Sequence, residues 1–213
     1  MISQDGENYF WMRIDAYIFF SAEDKCVHMF TYRKNIDEEK KQELRAALDG
    51  MTGFFSKTAS ERLIDKLLGE HPEGKFAFFI FDIDNFKQAN DNFGHGFGDM
   101  CIKEFTQVIR RSFGEENVLG RLGGDEFAAF GRIPDREWAR RKAAELSAAL
   151  NMVCTGENGF SWHMSASIGV ALFPEDGRDF KTLYRHADGA LYQTKKKGKN
   201  GYTIYSEKEK QGI

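Results

Sequence analysis

The sequence lacks the features that mark several common protein classes. No apolar run is long enough to cross a bilayer and no signal-peptide pattern is recognisable, so we expect a cytoplasmic protein without a membrane segment. The three cysteines, Cys26, Cys101 and Cys154, have neither metal-binding nor disulfide spacing, which favours a reduced compartment. Lys and Arg (30) do not exceed Asp and Glu (33), and the net charge of −3 argues against a nucleic-acid partner.

Phenylalanine, by contrast, is abundant, with 20 in 213 residues. The segment from Phe76 to Phe81 is almost continuously apolar, which predicts a strand buried on both faces. Asp82 and Asp84 follow it and would project to one face of an extended strand. Their hard oxygens suit Mg²⁺, which completes its shell with water and substrate phosphates. The alternative is that the two acids cap the following helix, and this suits Asp84 better than Asp82.

A second acidic stretch follows a pair of glycines. Gly123 and Gly124 lie between two apolar runs, which predicts a β-hairpin whose two-residue Gly-Gly turn uses positive φ angles. Asp125 and Glu126 come directly after the turn. The backbone of so tight a turn could closely approach a cation or a phosphate chain, although a solvated hairpin tip would have the same pattern. Asp125 and Glu126 would face opposite ways on a regular strand, so the turn must bend to admit both to one site.

Together these stretches resemble the GGDEF family of diguanylate cyclases. The resemblance covers residues 48–205 and includes several ordered motifs, which makes it more specific than one short pattern. The matching segments are residues 49–53, 82–99, 123–127, 167–171 and 187–192, followed by Lys195. It implies an α+β, palm-like fold, in which helices cover a central, largely antiparallel sheet. It also implies an enzyme that condenses two GTP molecules into cyclic di-GMP and releases two pyrophosphates.

The resemblance assigns the catalytic and metal-binding roles to few residues. Asp82, Asp125 and Glu126 match the family's catalytic acids, and these three with the Ile83 carbonyl match its ligands for Mg²⁺ or Mn²⁺. Glu126 matches the residue proposed to help deprotonate the attacking 3′-hydroxyl. The alternative for Glu126 is a structural salt bridge.

The resemblance also assigns the contacts to the GTP phosphates. Gly123 and Gly124 would let the backbone approach the phosphates, and the amides of Phe86 and Lys87 would open a helix that favours an anion. Lys195 matches a phosphate-contacting lysine. The last phosphate contact is Lys199, which stands where an arginine is usual and so keeps the charge without the planar fork.

Asn90 and Asp99 match the pair that reads guanine in this family. A carboxylate accepts from guanine N1–H and the exocyclic amine, whereas adenine offers no such donor pair, so Asp99 favours GTP over ATP. The alternative for Asp99 is a helix N-cap.

One family feature is missing. The inhibitory product site is an Arg-x-x-Asp that ends five residues before the first signature glycine, and residues 114–117 read Gly-Glu-Glu-Asn here. We therefore expect no product inhibition through this site.

We divide the chain into a hairpin at residues 1–34, a linker helix at 35–48, a catalytic domain at 49–207 and a tail at 208–213. The hairpin resembles the last two strands of a PAS sensor domain, with residues 35–38 in the place of the Asp-Ile-Thr-Glu-like segment that typically follows them. A lone hairpin is marginally stable in water, but the alternative is a genuine short hairpin. The linker helix has a thin apolar stripe that suits pairing in a dimer, but a solvated connector fits equally well. Within the catalytic domain we expect helices at 58–68, 85–91, 99–113, 135–153 and 180–196, a glycine-rich turn at 93–98, and strands at 160–172 and 202–205.

Three functions compete. The first is an active diguanylate cyclase that works as a homodimer, since each domain holds one GTP. The second is a non-catalytic GTP-binding regulatory module. The third is a mononucleotide cyclase or polymerase palm, which the guanine-reading pair and the absence of a basic track disfavour.

Overall fold

The structure, a computed structural model, describes residues 2–3, 9–23, 25–114, 116–156 and 159–205. The expected tail at 208–213 and the last two residues of the expected catalytic domain lie outside these ranges. The chain separates into two compact units, with the boundary between Ala47 and Leu48.

The first unit is built on an antiparallel ribbon. A short strand β1 (Ile2–Ser3) pairs with β2 (Tyr9–Phe10), and β3 (Met12–Ser21) pairs over its full length with β4 (Cys26–Asn35). This confirms the expected N-terminal hairpin. The ribbon leaves most of its large apolar side chains exposed, with Ile18 at 68% and Tyr17 on the other face at 67%. The helix α1 (Asp37–Ala47) ends the unit and begins two residues later than expected.

The second unit contains the central sheet and its helices. Its strands are β5 (Phe55–Ser56), β6 (Phe76–Ile83), β7 (Val118–Gly123), β8 (Glu126–Arg132), β9 (Met152–Thr155), β10 (Ser161–Met164), β11 (Ala166–Phe173) and β12 (Gly201–Ile204). Its helices are α2 (Lys57–Glu70), α3 (Phe86–Phe93), α4 (His95–Phe113), α5 (Arg136–Ala149) and α6 (Phe180–Lys196).

Six of these strands form one mixed sheet in the order β12-β11-β6-β8-β7-β5. The three inner pairings are antiparallel, whereas β12 and β5 each run parallel to their neighbour at the two edges. The α+β fold class is confirmed. The sheet is antiparallel at its centre, as expected, because β8 of the β7–β8 hairpin and β11 both run antiparallel to β6.

The Phe-rich strand β6 lies in the middle of this sheet and is buried on both faces, as its apolar run predicts. Phe79 and Phe81 pack in the cluster with α4 and α5, while Phe78 and Ile80 pack in the cluster with α2 and α6. Because side chains alternate along a strand, Asp82 continues the α2/α6 face at the point where the apolar run ends.

Three expected elements differ from the structure. The strand at 160–172 is broken at Ser165 into β10 and β11, and β10 leaves the sheet to pair with β9. The glycine-rich turn at 93–98 is mostly helical because α4 begins at His95. There Gly98 packs against α3: a Cβ at Gly98 would lie 2.0 Å from Asn90 Oδ1, so the glycine allows the two helices to approach closely. The helix expected at 135–153 ends at Ala149.

None of the helices in the described part of the chain has the length and apolar character that a membrane span requires.

Candidate active site

The candidate site lies where β6 ends and β8 begins, next to the last turn of α6. The antiparallel register puts Asp82 directly opposite Glu126, so the two acids point to the same face of the sheet. Lys195 from α6 reaches this face, and its Nζ lies 2.7 Å from Asp82 Oδ2. The side chain of Asp82 is only 13% exposed, while that of Lys195 is 36% exposed. The strand acid and the helix lysine therefore form a partly buried ion pair.

The glycine turn is shifted by one residue from the expected position. Gly123 still pairs with Glu126, so the two turn residues are Gly124 and Asp125. Between Arg121 and Gly123 the strand β7 advances two residues against one on β8, which is a β-bulge at Leu122. The expected Gly-Gly turn with positive φ is wrong, because both glycines lie outside the left-handed region.

The two glycines instead leave space open beside the acids. A Cβ added at Gly124 would meet no protein atom within 4 Å, and one at Gly123 would meet only Glu126 Oε2, at 3.9 Å. Neither glycine is therefore required by backbone conformation or by packing within the chain. Their lack of a side chain keeps free a volume that a ligand could enter, and this is what close approach of a phosphate chain needs.

The shifted turn also resolves the problem of two adjacent acids. Asp125 belongs to the turn, so the alternation of a strand does not force it away from Glu126. Burial raises the pKa of Asp82 above its ordinary value; the hydrogen bond and charge of Lys195 oppose this rise, and the negative charges of Asp125 and Glu126 add to it. The carboxyl groups of Asp82, Asp125 and Glu126 thus share one electrostatic neighbourhood. The described residues include no ion-pair partner for Glu126, which leaves its structural salt-bridge alternative unsupported.

These residues suit a hard divalent cation such as Mg²⁺ or Mn²⁺. The available donors are carboxylate oxygens and the carbonyl of Ile83, which ends β6, and the ammonium of Lys195 already stands as a cation against Asp82. Among the described residues, no three His, Cys, Asp or Glu side chains form a cage that could hold a metal ion. Mg²⁺ seldom requires one, because it typically binds one or two carboxylates and takes its other ligands from water and phosphates.

Asp84 does not cap the following helix, so that interpretation is wrong. Its carboxylate is 3% exposed and accepts hydrogen bonds from Ser165 Oγ and Ser167 Oγ, both at 2.7 Å, and from the Asn200 amide at 2.9 Å. The N-cap of α3 is Asn85, in a left-handed conformation without a side-chain cap. Asp84 therefore has a structural role, joining the end of β6 to β11 and to the segment after α6.

Three expected phosphate contacts lie next to this junction. Phe86 and Lys87 form the first turn of α3, so their N–H groups belong to the helix start that directly follows the acidic end of β6. Lys199 is brought to the same place, since its Nζ donates to Asn85 Oδ1 at 2.6 Å. The structure thus collects Lys195 and Lys199, which are distant in sequence from β6, around the residues that end this strand.

The expected guanine-reading pair lies at the contact between α3 and α4. The amide of Asn90 packs against Gly98, and Asp99 is the next residue along α4. Asp99 is exposed and lies in the second turn of a helix that begins at His95 after the N-cap Gly94. The N-cap alternative for Asp99 is therefore wrong, and its carboxylate remains available to a ligand.

Arg121 holds the turn beside the site in place, and the sequence reasoning missed it. Its Nε and Nη2 donate to the Gly124 carbonyl at 3.1 and 2.8 Å, and its Nη1 lies 3.1 Å from both carboxylate oxygens of Asp49. Asp49 also accepts from the amide and hydroxyl of Thr52, at 2.9 and 2.7 Å. The guanidinium therefore fixes the glycine turn to the start of the second unit. Both residues were visible in the sequence, Arg121 two positions before the glycines and Asp49 in the first matching motif. No sequence pattern, however, indicated that they form a contact.

This network changes the acidity of Asp49. Burial would raise the pKa of Asp49, but the hydrogen bonds from Thr52 and Arg121 and the Arg121 charge outweigh it, so the pKa lies below its ordinary value. Asp49 is therefore a carboxylate at neutral pH.

Comparisons with known proteins found similar sequences and structures. The family model "Diguanylate cyclase, GGDEF domain" matches residues 46–201. The diguanylate cyclase DgcS of Shewanella oneidensis is 29% identical over 174 residues, which cover 80% of this chain and 56% of that protein. The cyclic di-GMP phosphodiesterase PdeR of Escherichia coli is 30% identical over 183 residues, 84% of this chain but only 28% of that protein. This chain thus spans less than a third of the length of PdeR.

Among solved structures, the GGDEF domain of TpbB (YfiN) from Pseudomonas aeruginosa has a TM-score of 0.73 and 27% identity, covering 77% of this chain and 97% of that one. A sensory box/GGDEF family protein from Caulobacter crescentus has a TM-score of 0.68 and 30% identity, covering 72% of this chain and all of that one.

Proposed function

Because this chain belongs to the GGDEF-domain family, we propose that it is a diguanylate cyclase, which condenses two GTP molecules into cyclic di-GMP and releases two pyrophosphates. The observation that carries the proposal is the grouping of Asp82, Asp125 and Glu126 beside two glycines that no contact within the chain requires. In metal-dependent phosphoryl transfer, such acids can hold the metal ion, and a turn without side chains allows the backbone to approach the phosphates.

In this reaction the chain's own residues position GTP and move one proton. Asp82, Asp125 and the Ile83 carbonyl would hold Mg²⁺ or Mn²⁺, which when bound neutralises phosphate charge and acidifies the attacking hydroxyl. Glu126 would accept the proton of the ribose 3′-hydroxyl as it attacks the α-phosphate of the other nucleotide. The backbone at Gly123 and Gly124 approaches the phosphates without a side chain in the way.

Further residues select and hold the nucleotide. Asp99 would accept from guanine N1–H and the exocyclic amine, with Asn90 beside it. Lys195, Lys199 and the first-turn amides of α3 at Phe86 and Lys87 would supply the positive charge that the triphosphate needs.

The proposed reaction needs a homodimer. One domain holds one GTP, so two domains must face each other for one nucleotide to attack the other. We further propose that the N-terminal ribbon is the end of a PAS-type sensor segment, because many of its large apolar side chains are exposed and a lone hairpin is marginally stable in water. Removal of residues 1–34 should then leave the fold of the second unit intact by circular dichroism, and unfolding of that unit would contradict the assignment.

Product inhibition through an Arg-x-x-Asp site is not expected. At the position of its aspartate, the Asn117 side chain donates to the Phe113 carbonyl and packs against Gly131. Gly114 and Glu116 occupy two of the other positions, and Glu115 lies outside the described residues. Cyclic di-GMP added to a steady-state assay should therefore inhibit only at concentrations where it competes with GTP, and inhibition far below that range would contradict this.

The direct test is to incubate the chain with GTP and Mg²⁺ and to measure cyclic di-GMP. Asp125→Asn should lower the turnover by roughly a hundredfold or more, because it removes charge that acts on the transition state. Glu145→Gln, the same chemical change on the exposed side of α5, should leave the rate unchanged. Full turnover by a folded Asp125→Asn variant would overturn the proposal.

A second candidate is a GTP-binding regulatory module without turnover. The match to a protein named for phosphodiesterase activity favours it. Tight binding of GTP by a dimeric chain that produces no cyclic di-GMP would select this candidate over the first.

A further inference from the structure

The ion pair between Lys195 and Asp82 occupies the acid that the proposed cation would need. The Lys195 ammonium is 2.7 Å from Asp82 Oδ2, and the Asp82 side chain is almost entirely enclosed. Its surroundings hold further negative charge from Asp125 and Glu126. The ammonium therefore neutralises the charge of Asp82, one acid of an acidic cluster.

A divalent cation and this ammonium cannot both bind Asp82 well. An ammonium and a metal ion on the same carboxylate would lie within a few ångströms of each other and repel strongly in a partly enclosed site. The apparent affinity of a ligand falls by the fraction of time that its site is available. As long as Lys195 stays on Asp82, binding of a free divalent cation is weakened.

The incoming nucleotide offers Lys195 a better partner. A triphosphate carries several negative charges, and the Lys195 side chain is 36% exposed, so its ammonium can leave Asp82 by rotation of its own stem. Lys199 differs, because the described contact of its ammonium is the neutral amide of Asn85 rather than an acid. Among the described ion pairs, only that of Lys195 joins a lysine to an acid of the proposed site.

We propose that Lys195 is a resident counter-cation, which blocks Asp82 against free metal and is exchanged for the divalent cation when a nucleoside triphosphate draws it onto its phosphates. The exchange rests on the proposed function only for the identity of that nucleotide. It makes metal and nucleotide bind cooperatively, and the coupling is reciprocal: each tightens the other by the same factor.

Mn²⁺ binding to the full chain without any nucleotide tests the exchange, with free Mn²⁺ followed by electron paramagnetic resonance. Lys195→Met should bind Mn²⁺ roughly tenfold more tightly than the unmodified chain, because couplings of this kind are typically 5- to 150-fold. Lys196→Met removes a charge from the same helix turn, where Lys196 lies over the Tyr192 ring at 4.7 Å, and should leave Mn²⁺ affinity unchanged. Adding Asp82→Asn to Lys195→Met should abolish the gain.

The outcomes separate this inference from the proposed function. If Lys195→Met binds Mn²⁺ no more tightly than Lys196→Met, the exchange is wrong even where the unmodified chain makes cyclic di-GMP. If the gain in affinity appears but no cyclic di-GMP forms from GTP, the exchange stands and the proposed function fails. Circular dichroism checks the fold of each variant, and Lys195→Gln replaces Lys195→Met in the same measurement if the latter does not fold.

Discussion

Two glycines of the second unit have contrasting surroundings. Gly124 faces open space, whereas a Cβ at Gly169 would lie 2.0 Å from the Ala187 carbonyl oxygen and 2.5 Å from the Leu191 nitrogen, both in the backbone of α6. We therefore propose that Gly124 leaves space for a ligand, whereas Gly169 allows α6 to pack closely on β11.

We expect the Gly124→Ala variant to be as stable as the unmodified chain but to bind GTP more weakly. Its free energy of unfolding should change by less than about 0.5 kcal/mol, while GTP affinity should fall about tenfold or more because the new methyl group enters the phosphate space. Gly169→Ala should instead destabilise the fold by about 1–3 kcal/mol through overpacking. Urea denaturation and calorimetric titration with GTP measure both effects. A Gly124→Ala variant that binds GTP normally would show that the open space is not a ligand site.

At this scale the sequence predicts which residue types meet, but not their local geometry. The acids after the Phe-rich run and after the glycines follow from the pattern. The shift of the turn to Gly124 and Asp125 does not, because it accompanies two hydrogen bonds from Arg121 to Gly124, and Arg121 is fixed in turn by an acid 72 positions away in the chain. Asp84 was misassigned for the same reason, since its partners Ser165 and Asn200 are distant in sequence.

At the scale of elements, the segment that opens the second unit and the β7–β8 hairpin act as one piece. Asp49 is bound by Thr52 and by Arg121, and Arg121 also binds the turn carbonyl. We expect Asp49→Asn to lower the free energy of unfolding by about 1–2 kcal/mol at pH 7, since it removes charge-assisted hydrogen bonds.

This loss should depend on pH in a defined direction. The pKa of Asp49 is lowered in the folded state, so its contribution is complete above the ordinary pKa of about 3.9 and is lost as the pH falls through the lower, folded value. The stability difference between the unmodified chain and Asp49→Asn should therefore stay constant from neutral pH to about pH 5 and shrink below about pH 4. Urea denaturation at several pH values measures it, and a difference that grows on acidification would contradict the assignment.

Regular elements with a clear apolar period were predictable from sequence, and irregular ones were not. The Phe-rich strand and α6 were expected close to where they lie. The early start of α4 was not predictable, because its first turn contains glycines, each of which disfavours a helix by about 1 kcal/mol. Only the tertiary contact between Gly98 and Asn90 explains why one of these glycines lies in the helix. The departure of β10 to pair with β9 likewise depends on tertiary contacts that no local pattern contains.

At the scale of the whole molecule, the proposed reaction depends on two chains. Every described contact of the proposed site lies within the second unit, so each chain would provide one nucleotide-binding site. The specific activity should therefore rise with chain concentration and level off when dimers dominate. Assays over a dilution series, paired with sedimentation at the same concentrations, measure this. Constant specific activity in a range where sedimentation shows only monomers would contradict the dimer.

The attachment of α6 to the sheet fixes the backbone at Lys195, so that only its side chain is left to move when a nucleotide binds. Besides the tight approach at Gly169, the Thr194 hydroxyl lies 3.0 Å from the Ile168 carbonyl and 2.9 Å from the Thr203 hydroxyl. The backbone beside Lys195 is thus held on two strands, so the proposed movement of its ammonium would use torsions of its own side chain, which take picoseconds to nanoseconds in exposed residues. Since enzymes turn over on the order of 1–1,000 times per second, rapid-mixing traces of nucleotide binding should show no lag from this rearrangement.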